Sequence, residues 1–279
     1  MTTVPTVTLR NGVHIPQLGY GVFQVPPEDA QRAVESALEV GYRHIDTAAA
    51  YNNEAGVGAG IAASGLARND VFVTTKLRNG NQGFDSAKRA LADSLGRLRL
   101  DYVDLYLIHW PSPARDQYVP SWRAMEEMNG DGLARAIGVS NFLPHHLERL
   151  LAETDVPPAV NQIELHPSYQ QVQLAQFSRS HGIAVEAYSP LGQGSALAEP
   201  VIVELAQKYA VTPAQVILRW HLQNGNIVIP KSANPSRMSE NFDVFGFELA
   251  ADDLSAISAL ERGDRIGSDP DLFEITQIR

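Results

Sequence analysis

Short apolar segments alternate with amphipathic segments along almost the whole chain. The apolar segments lie at 17–23, 42–46, 71–76, 102–110, 134–141, 159–165, 183–190 and 226–232. An amphipathic segment with helical spacing of its apolar residues follows most of them, for example at 28–40. Strands that alternate with helices predict right-handed crossovers and a parallel sheet. Eight such units favour a closed (β/α)8 barrel, in which the glycines of 17–23 make that strand the weakest.

Two further segments lie outside a bare barrel. Residues 6–16, TVTLRNGVHIP, predict a β-hairpin with an Asn-Gly turn that caps one end of the barrel. The amphipathic pattern of residues 249–260 predicts that extra C-terminal helices follow the barrel. No segment rich in proline, glycine or serine divides the chain, so residues 1–279 are expected to form a single domain.

Composition narrows the class of protein. The 279 residues include 32 acidic and 22 basic side chains, a net charge of −10, which disfavours nucleic acid and anionic membranes as partners. The absence of cysteine excludes disulfides, thiolate chemistry and cysteine-ligated metals. No apolar run approaches the roughly 18 residues of a membrane span, and the first residues lack the pattern of a secretory signal. A soluble cytoplasmic enzyme is therefore expected.

Motifs for nucleotide loops and metal sites are incomplete. The glycine clusters at 19–21, 56–60 and 192–194 contain neither G-x-G-x-x-G nor a Walker loop, and the first two are interpreted as turns or close packing. There is no H-E-x-x-H motif, and the adjacent His145 and His146 are expected to face different parts of a helix. No metal site is predicted.

Four polar side chains fall where strands end. The second predicted strand ends at Asp46, the third at Lys76 and the fourth at His109, and Tyr51 lies on the loop after Asp46. In barrel enzymes the catalytic groups lie at the carboxyl ends of the strands and on the loops that follow. Packing alone does not explain this placement, because an ammonium group that faces the barrel mouth must be paired. We expect these four side chains to converge on one rim.

Carbonyl reduction follows from the chemistry of this set. A free tyrosine holds its proton too tightly to be an efficient acid at neutral pH. The Lys76 ammonium is expected to stabilise the phenolate and lower the pKa of Tyr51, while Asp46 holds Lys76 in place. A neutral His109 can orient a carbonyl oxygen that receives the proton as hydride reaches the carbon.

A family resemblance runs through nearly the whole chain. The segments GYRHIDTAAAYNNE, TTKL, YLIHWP, AIGVSNF, NQIELHP, YSPLGQG and IPKS followed by R-x-x-E-N, in this order, resemble those of the aldo-keto reductases. Within that family the chain is most similar to the bacterial 2,5-diketo-D-gluconate reductases, for example in QLGYGVFQVPPEDAQRAVE. The resemblance implies an NADPH-dependent enzyme with Tyr51 as proton donor and Asp46, Lys76 and His109 completing a tetrad.

The same resemblance implies how a dinucleotide binds without a Rossmann loop. It places the nicotinamide against Ser140, Asn141, Gln162 and Tyr188, and the pyrophosphate along Leu191. The groups implied for the 2′-phosphate are Lys231, Ser232, Ala233 and Arg237, and those for the adenine are Glu240 and Asn241. Related reductases often carry more arginines here, where this chain has Asn234 and Pro235. Because two cations remain, we predict that NADPH is preferred over NADH by a moderate factor.

The substrate is the least determined part of the prediction. Phe23 and Trp110 are candidate apolar walls, and Arg78 stands where several relatives have an aromatic residue. Arg78 would favour an anionic or polyhydroxylated substrate, or it would point to solvent. The candidate substrates are keto-sugar acids, α-dicarbonyls and small aldehydes. The resemblance also favours a monomer.

Two other functions remain open on the sequence. Lys76 could form a Schiff base, as in barrel aldolases, but such a lysine must be neutral and Asp46 would keep it charged. Alternatively, the chain could be a non-catalytic, NADPH-binding regulatory barrel. An intact tetrad argues against that alternative, because a protein that only binds the cofactor does not need all four groups.

Overall fold

A β-hairpin begins the part of the chain that the computed structural model describes, residues 4–274. Strands β1 (Thr6–Thr8) and β2 (His14–Pro16) pair antiparallel. Leu9 and Ile15 are buried against Phe72, Val160 and Ile227, each the first residue of a barrel strand. The hairpin therefore closes the amino-terminal end of the barrel, and the predicted cap is confirmed.

The barrel consists of eight parallel strands in chain order. They are β3 (Tyr20–Gly21), β4 (His44–Asp46), β5 (Phe72–Leu77), β6 (Val103–Ile108), β7 (Ala134–Ser140), β8 (Val160–Glu164), β9 (Ala184–Tyr188) and β10 (Ile227–Val228). Every predicted apolar segment contains one of these strands, except that β5 extends one residue beyond its segment, to Leu77. At the seam the backbone N–H of Gly19 donates to Val228 O at 2.8 Å, and that of Gly21 donates to Pro230 O at 3.1 Å. The predicted (β/α)8 class is confirmed.

The glycines of the first strand allow close packing at this seam. A Cβ at Gly19 would lie 2.5 Å from His44 Nδ1, and one at Gly21 would lie 3.0 Å from the carbonyl oxygen of Ile229. In the second cluster, a Cβ at Gly58 would lie 2.1 Å from the carbonyl oxygen of Leu98. Both clusters allow close packing, as the sequence indicated. Because glycine has a low strand propensity, β3 is only two residues long.

Helices follow the strands along the chain. They are α1 (Pro27–Val40), α2 (Glu54–Ala63), α3 (Phe84–Leu98), α4 (Tyr118–Gly130), α5 (Pro144–Glu153), α6 (Val172–Ser180), α7 (Pro200–Tyr209), α8 (Pro213–Gln223), α9 (Pro235–Phe242) and α10 (Ala251–Ser258). Helix α10 packs against α7, where Lys208 Nζ lies 2.7 Å from Asp253 Oδ2. The predicted extra helix at 249–260 is therefore present. Along residues 4–274, no helix combines the length and apolar character that crossing a membrane requires.

Two helices, α8 and α9, were not among those predicted. Thr212 caps α8: its side-chain hydroxyl oxygen accepts from the backbone N–H of Gln215. In return, the side-chain oxygen of Gln215 accepts from the backbone N–H of Thr212. Asn234 caps α9 and is followed by a proline at the first helical position. Thr-Pro-x-Gln and Asn-Pro are both start signals that a search for helix caps would have found.

Candidate active site

The four strand-end residues meet at the carboxyl rim of the barrel. Asp46 ends β4, Lys76 lies near the end of β5, and His109 follows β6 directly. Tyr51 ends the single turn of 3₁₀-helix, Ala49–Tyr51, that follows β4. Parallel pairing of β4 with β5 and of β5 with β6 brings these ends to one side, so the expected convergence is present.

Lys76 lies at the centre of this group and is completely buried. Its Nζ donates to Asp46 Oδ1 at 2.6 Å, to the Thr47 carbonyl oxygen at 2.9 Å and to the Tyr51 hydroxyl at 3.3 Å. Burial is the largest single effect and would lower the pKa of Lys76, but Asp46, Tyr51 and Glu186 acting together outweigh it, and the pKa is raised. Lys76 is therefore a charged ammonium aimed at the phenol oxygen.

The pKa of Tyr51 differs from the sequence-based expectation. Desolvation by burial is the largest effect and raises it, while the charge and the hydrogen bond of Lys76 lower it, and the net result is a raised pKa. The negative charge of Asp46 adds to the rise, and that of Glu186 would add to it only when this carboxyl group is ionised. The expected net lowering is therefore wrong for the protein in this state. The phenol stays protonated at neutral pH, which is the form a proton donor needs.

His109 completes the group as a neutral ring. It packs edge-on against Tyr51, with ring centroids 5.6 Å apart. Desolvation, reinforced by the charge of Lys76, holds the pKa of His109 well below its usual value. Its Nδ1 is buried and has no hydrogen-bond partner among the described residues. A neutral imidazole beside a phenol can donate one hydrogen bond to a carbonyl oxygen held between them.

The residues implied for the nicotinamide form a polar shelf beside the tetrad. Ser140 ends β7 and Asn141 follows it directly, Gln162 lies in β8, and Tyr188 ends β9. Asn141 Nδ2 donates to the His109 carbonyl oxygen at 3.0 Å, and the Tyr188 hydroxyl donates to Asn141 Oδ1 at 2.8 Å. The shelf is thus joined to the tetrad by hydrogen bonds, and its amide groups match the donors and acceptor of a carboxamide.

Gln162 also connects the shelf to a carboxylate that the sequence analysis missed. Its Nε2 donates to Asp46 Oδ2 at 2.8 Å and to Glu186 Oε2 at 2.9 Å. Glu186 lies in the middle of β9 and is fully buried. The signal was a charged residue inside an otherwise apolar strand, AVEAY, where a buried carboxyl group requires an explanation.

The residues implied for the adenosine end lie around the start of α9. Lys231, Ala233 and Arg237 are exposed, whereas Ser232 and Asn241 are buried. Asn234 Oδ1 accepts from the backbone N–H groups of Ser236 and Arg237, and Ser232 Oγ accepts from that of Asn234. Glu240 Oε1 accepts from Ser236 Oγ, and Leu191 lies half-buried after β9. Two exposed cations at a capped helix start suit a phosphate.

Aromatic side chains line the mouth. Phe23 is 37% exposed and packs against Tyr51 with ring centroids 5.0 Å apart. Trp110 is buried beneath Phe273, 4.3 Å away between ring centroids. Phe273, in the C-terminal tail, was not singled out in the sequence, because no local pattern connects it with Trp110. Arg78 is half-buried and lines a cleft with Ala49, close to Tyr51 in sequence.

The C-terminal tail is fixed to the mouth by backbone hydrogen bonds. Glu164, the last residue of β8, accepts from the N–H groups of Ile266 and Gly267 at 2.6 and 2.7 Å. Burial opposes ionisation, but these bonds and one from His166 lower the pKa of Glu164. Glu164 is therefore an ionised carboxylate that holds the tail beside Tyr188.

The sequence suggested that His145 and His146 face different parts of the helix, but the structure brings them together. Their rings stack 4.0 Å apart, and their Nε2 atoms lie 2.9 and 3.1 Å from Asp271 Oδ1. This convergence has the spacing of a metal site. However, His146 Nδ1 accepts from the backbone N–H of Leu143, so the neutral ring carries its hydrogen on Nε2. Burial lowers the pKa of His146 to about 4, so the ring is neutral, and its Nε2, which has no hydrogen-bond partner among the described residues, carries a hydrogen rather than a lone pair for a metal.

Several known proteins are similar to this chain in sequence and in structure. A model described as the aldo/keto reductase family matches residues 17–262. An aldo-keto reductase of Mycolicibacterium smegmatis is 54% identical, covering 98% of this chain and 99% of its own. Methylglyoxal reductase DkgA of Escherichia coli strain K12 is 50% identical, with the same shares covered. The crystal structure of a Gox0644 mutant in complex with NADPH is 47% identical, with a TM-score of 0.95, covering 98% of this chain and 100% of that one.

Proposed function

Since this chain belongs to the aldo/keto reductase family, we propose that it reduces an aldehyde or ketone to an alcohol, with NADPH as hydride donor. The observation that carries the proposal is the completely buried Lys76 ammonium, held between Asp46 and the Tyr51 hydroxyl. A charged donor aimed at a protonated phenol is what proton transfer to a carbonyl oxygen requires.

The residues of the rim fit this cofactor. The amide and hydroxyl groups of Asn141, Gln162 and Ser140 suit the carboxamide, and exposed Lys231 and Arg237 suit a phosphate. A solved structure of a related protein, the Gox0644 mutant, contains NADPH, which supports the same choice here. When bound, NADPH supplies the hydride that reduces the carbonyl carbon.

The protein's own residues supply the proton. Tyr51 O–H donates to the carbonyl oxygen, because its raised pKa keeps it protonated until negative charge develops there. Lys76 Nζ, 3.3 Å from that hydroxyl, stabilises the phenolate that remains. Asp46 keeps the ammonium charged, and neutral His109 orients the carbonyl from the other side. A Schiff base on Lys76 is opposed by the same pairing, because its amine would have to be neutral.

The mouth fits a small carbonyl compound. Phe23, Trp110 and Phe273 give it apolar walls, while Tyr51 and His109 supply the polar end. Relatives at about half identity are named methylglyoxal reductases, which favours α-dicarbonyls, with keto-sugar acids and simple aldehydes as the other classes. The net charge of −10 favours small-molecule substrates over nucleic acid. The monomeric state is proposed from the family resemblance alone.

A panel of carbonyl substrates tests the proposal. NADPH oxidation is followed with methylglyoxal, a keto-sugar acid and a simple aldehyde, and kcat/KM is compared. We expect turnover with at least one class and the highest kcat/KM with the α-dicarbonyl. Tight NADPH binding without oxidation by any member of the panel would instead support the non-catalytic regulatory barrel.

Removal of one exposed cation should reduce the preference for NADPH. Arg237→Ala is expected to raise KM for NADPH by roughly tenfold and to leave KM for NADH unchanged, because a charge-assisted hydrogen bond contributes about 1.5–3 kcal/mol and exposure reduces it. Steady-state kinetics with both cofactors measures the effect. Arg123→Ala, an exposed arginine on α4, is the control. An equal change with both cofactors would contradict a 2′-phosphate contact.

A further inference from the structure

Glu186 is a buried carboxyl group that the proposed reaction does not use directly. Its Oε2 accepts from Gln162 Nε2 at 2.9 Å, and the same Nε2 donates to Asp46 Oδ2 at 2.8 Å. Two carboxyl groups therefore share one amide nitrogen immediately behind Lys76. Glu186 Oε1 has no hydrogen-bond partner among the described residues.

The positively charged side chain near Glu186 is Lys76, and it is already paired with Asp46. Lys76 donates to Asp46 Oδ1 at 2.6 Å. His44 Nε2 lies 3.6 Å from Glu186 Oε1, too far for a hydrogen bond, and contacts Thr74 Oγ1 at 3.1 Å instead. Burial lowers the pKa of His44 to about 3, so its ring is neutral. With Asp46 ionised and Lys76 charged, an ionised Glu186 would leave one uncompensated charge in a fully buried cluster.

We infer that Glu186 is a positioning residue that keeps its proton at neutral pH, holds Gln162 against Asp46, and so keeps the Lys76–Tyr51 pair competent. The inference rests on the proposed carbonyl reduction and deepens it. The groups that face Glu186 are Gln162 from β8, His44 and Asp46 from β4, Lys76 from β5 and, beyond Lys76, Tyr51. Its partner in β10 is the apolar Ile227.

The consequence is a fall in activity as Glu186 ionises. Desolvation, with repulsion from Asp46, raises the pKa of Glu186 to about 8. Above that pH a second carboxylate faces Lys76, and its charge raises the pKa of Tyr51 further. Ionisation of Glu186 therefore makes the phenol a weaker acid. The same added negative charge also disfavours the negative charge that develops on the carbonyl oxygen. We expect kcat/KM for reduction to fall roughly three- to tenfold between about pH 6.5 and about pH 9.5.

Glu186→Gln tests the inference, because glutamine can still accept from Gln162 but cannot ionise. The variant is expected to keep kcat/KM within about threefold of the parent protein at low pH and to lose the alkaline fall. Glu164→Gln is the matched control: it is also a buried glutamate near the mouth, with a lowered pKa, and should keep the alkaline fall whatever its rate. The same alkaline fall in Glu186→Gln would overturn the inference.

Stability gives a measurement that does not depend on turnover. Because the folded-state pKa of Glu186 lies above its ordinary value, the folded protein keeps this proton over a range of pH in which the unfolded chain has lost it. As pH rises through that range to about 8, the parent protein should lose stability relative to Glu186→Gln, and the difference should level off above it. Chemical denaturation across that range measures it. A constant difference would overturn the inference even if carbonyl reduction is confirmed.

Infrared spectroscopy of the unaltered protein covers the case in which the variant does not fold. Difference spectra across pH 8 should show loss of a protonated-carboxyl band from a buried group. No such band at neutral pH would mean that Glu186 is ionised, and the inference would fail. Absence of carbonyl reduction together with this band would instead count against the proposed function alone.

Discussion

Tyr51→Phe should lower kcat for carbonyl reduction by about 10²–10⁴-fold, the usual contribution of a positioned acid. The change removes the hydroxyl 3.3 Å from Lys76 Nζ and keeps the ring that packs on Phe23 and His109. Cofactor binding should be retained, because none of the hydrogen bonds that join the polar shelf involves this hydroxyl. Single-turnover oxidation of bound NADPH measures the chemical step, and fluorescence titration measures the affinity for NADPH.

Tyr118→Phe is the control for loss of a tyrosine hydroxyl elsewhere in the fold. Tyr118 is a buried tyrosine at the start of α4, where its ring packs on Phe142. It should keep kcat within about twofold of the parent protein, since it supplies no proton to the site. A Tyr51→Phe enzyme with unchanged single-turnover rate would mean that another group donates the proton, and the role proposed for Tyr51 would be withdrawn.

Lys76→Met should be strongly destabilising as well as inactive. Methionine fills a similar volume but leaves the Asp46 carboxylate buried without its cation. Breaking a buried pair in this way typically costs about 3–5 kcal/mol of unfolding free energy. Denaturant unfolding at neutral pH measures the loss, and NADPH oxidation measures the activity.

The double variant Asp46→Asn with Lys76→Met separates the two effects. Removing both charges leaves no unpaired ion, so most of the lost stability should return while turnover stays abolished. Gln162 Nε2 can still donate to the asparagine side chain in place of Asp46 Oδ2. A double variant as unstable as Lys76→Met would show that packing of the lysine stem, rather than its charge, dominates. Recovery of turnover would contradict the need for an ammonium beside Tyr51.

The barrel and the position of its rim could be predicted from local patterns. Each strand is a short apolar run that its own sequence identifies. Eight strands could therefore be predicted without information on which strands pair with each other. Parallel strands necessarily bring their carboxyl ends together, which is why Asp46, Lys76 and His109 could be placed on one rim from their positions in the chain. The hairpin cap followed from the Asn-Gly turn at Asn11 and Gly12.

Features that depend on contacts between distant segments were decided only by the tertiary structure. Phe273 reaches Trp110, and Asp271 meets His145 and His146, because the tail returns across the mouth. Glu186 matters because β8 and β9 bring it to the amide of Gln162.

The sequence by itself determined which groups meet at the rim, since residue types and strand ends are local facts. Only the tertiary structure decided their protonation, because desolvation depends on how much of the fold surrounds a group. Lys76 was expected to lower the pKa of Tyr51, and its charge does act in that direction, but burial in the assembled barrel exerts the larger effect. The same burial lowers the pKa of His109 and raises that of Glu186, so the folded barrel determines which groups at the rim hold a proton.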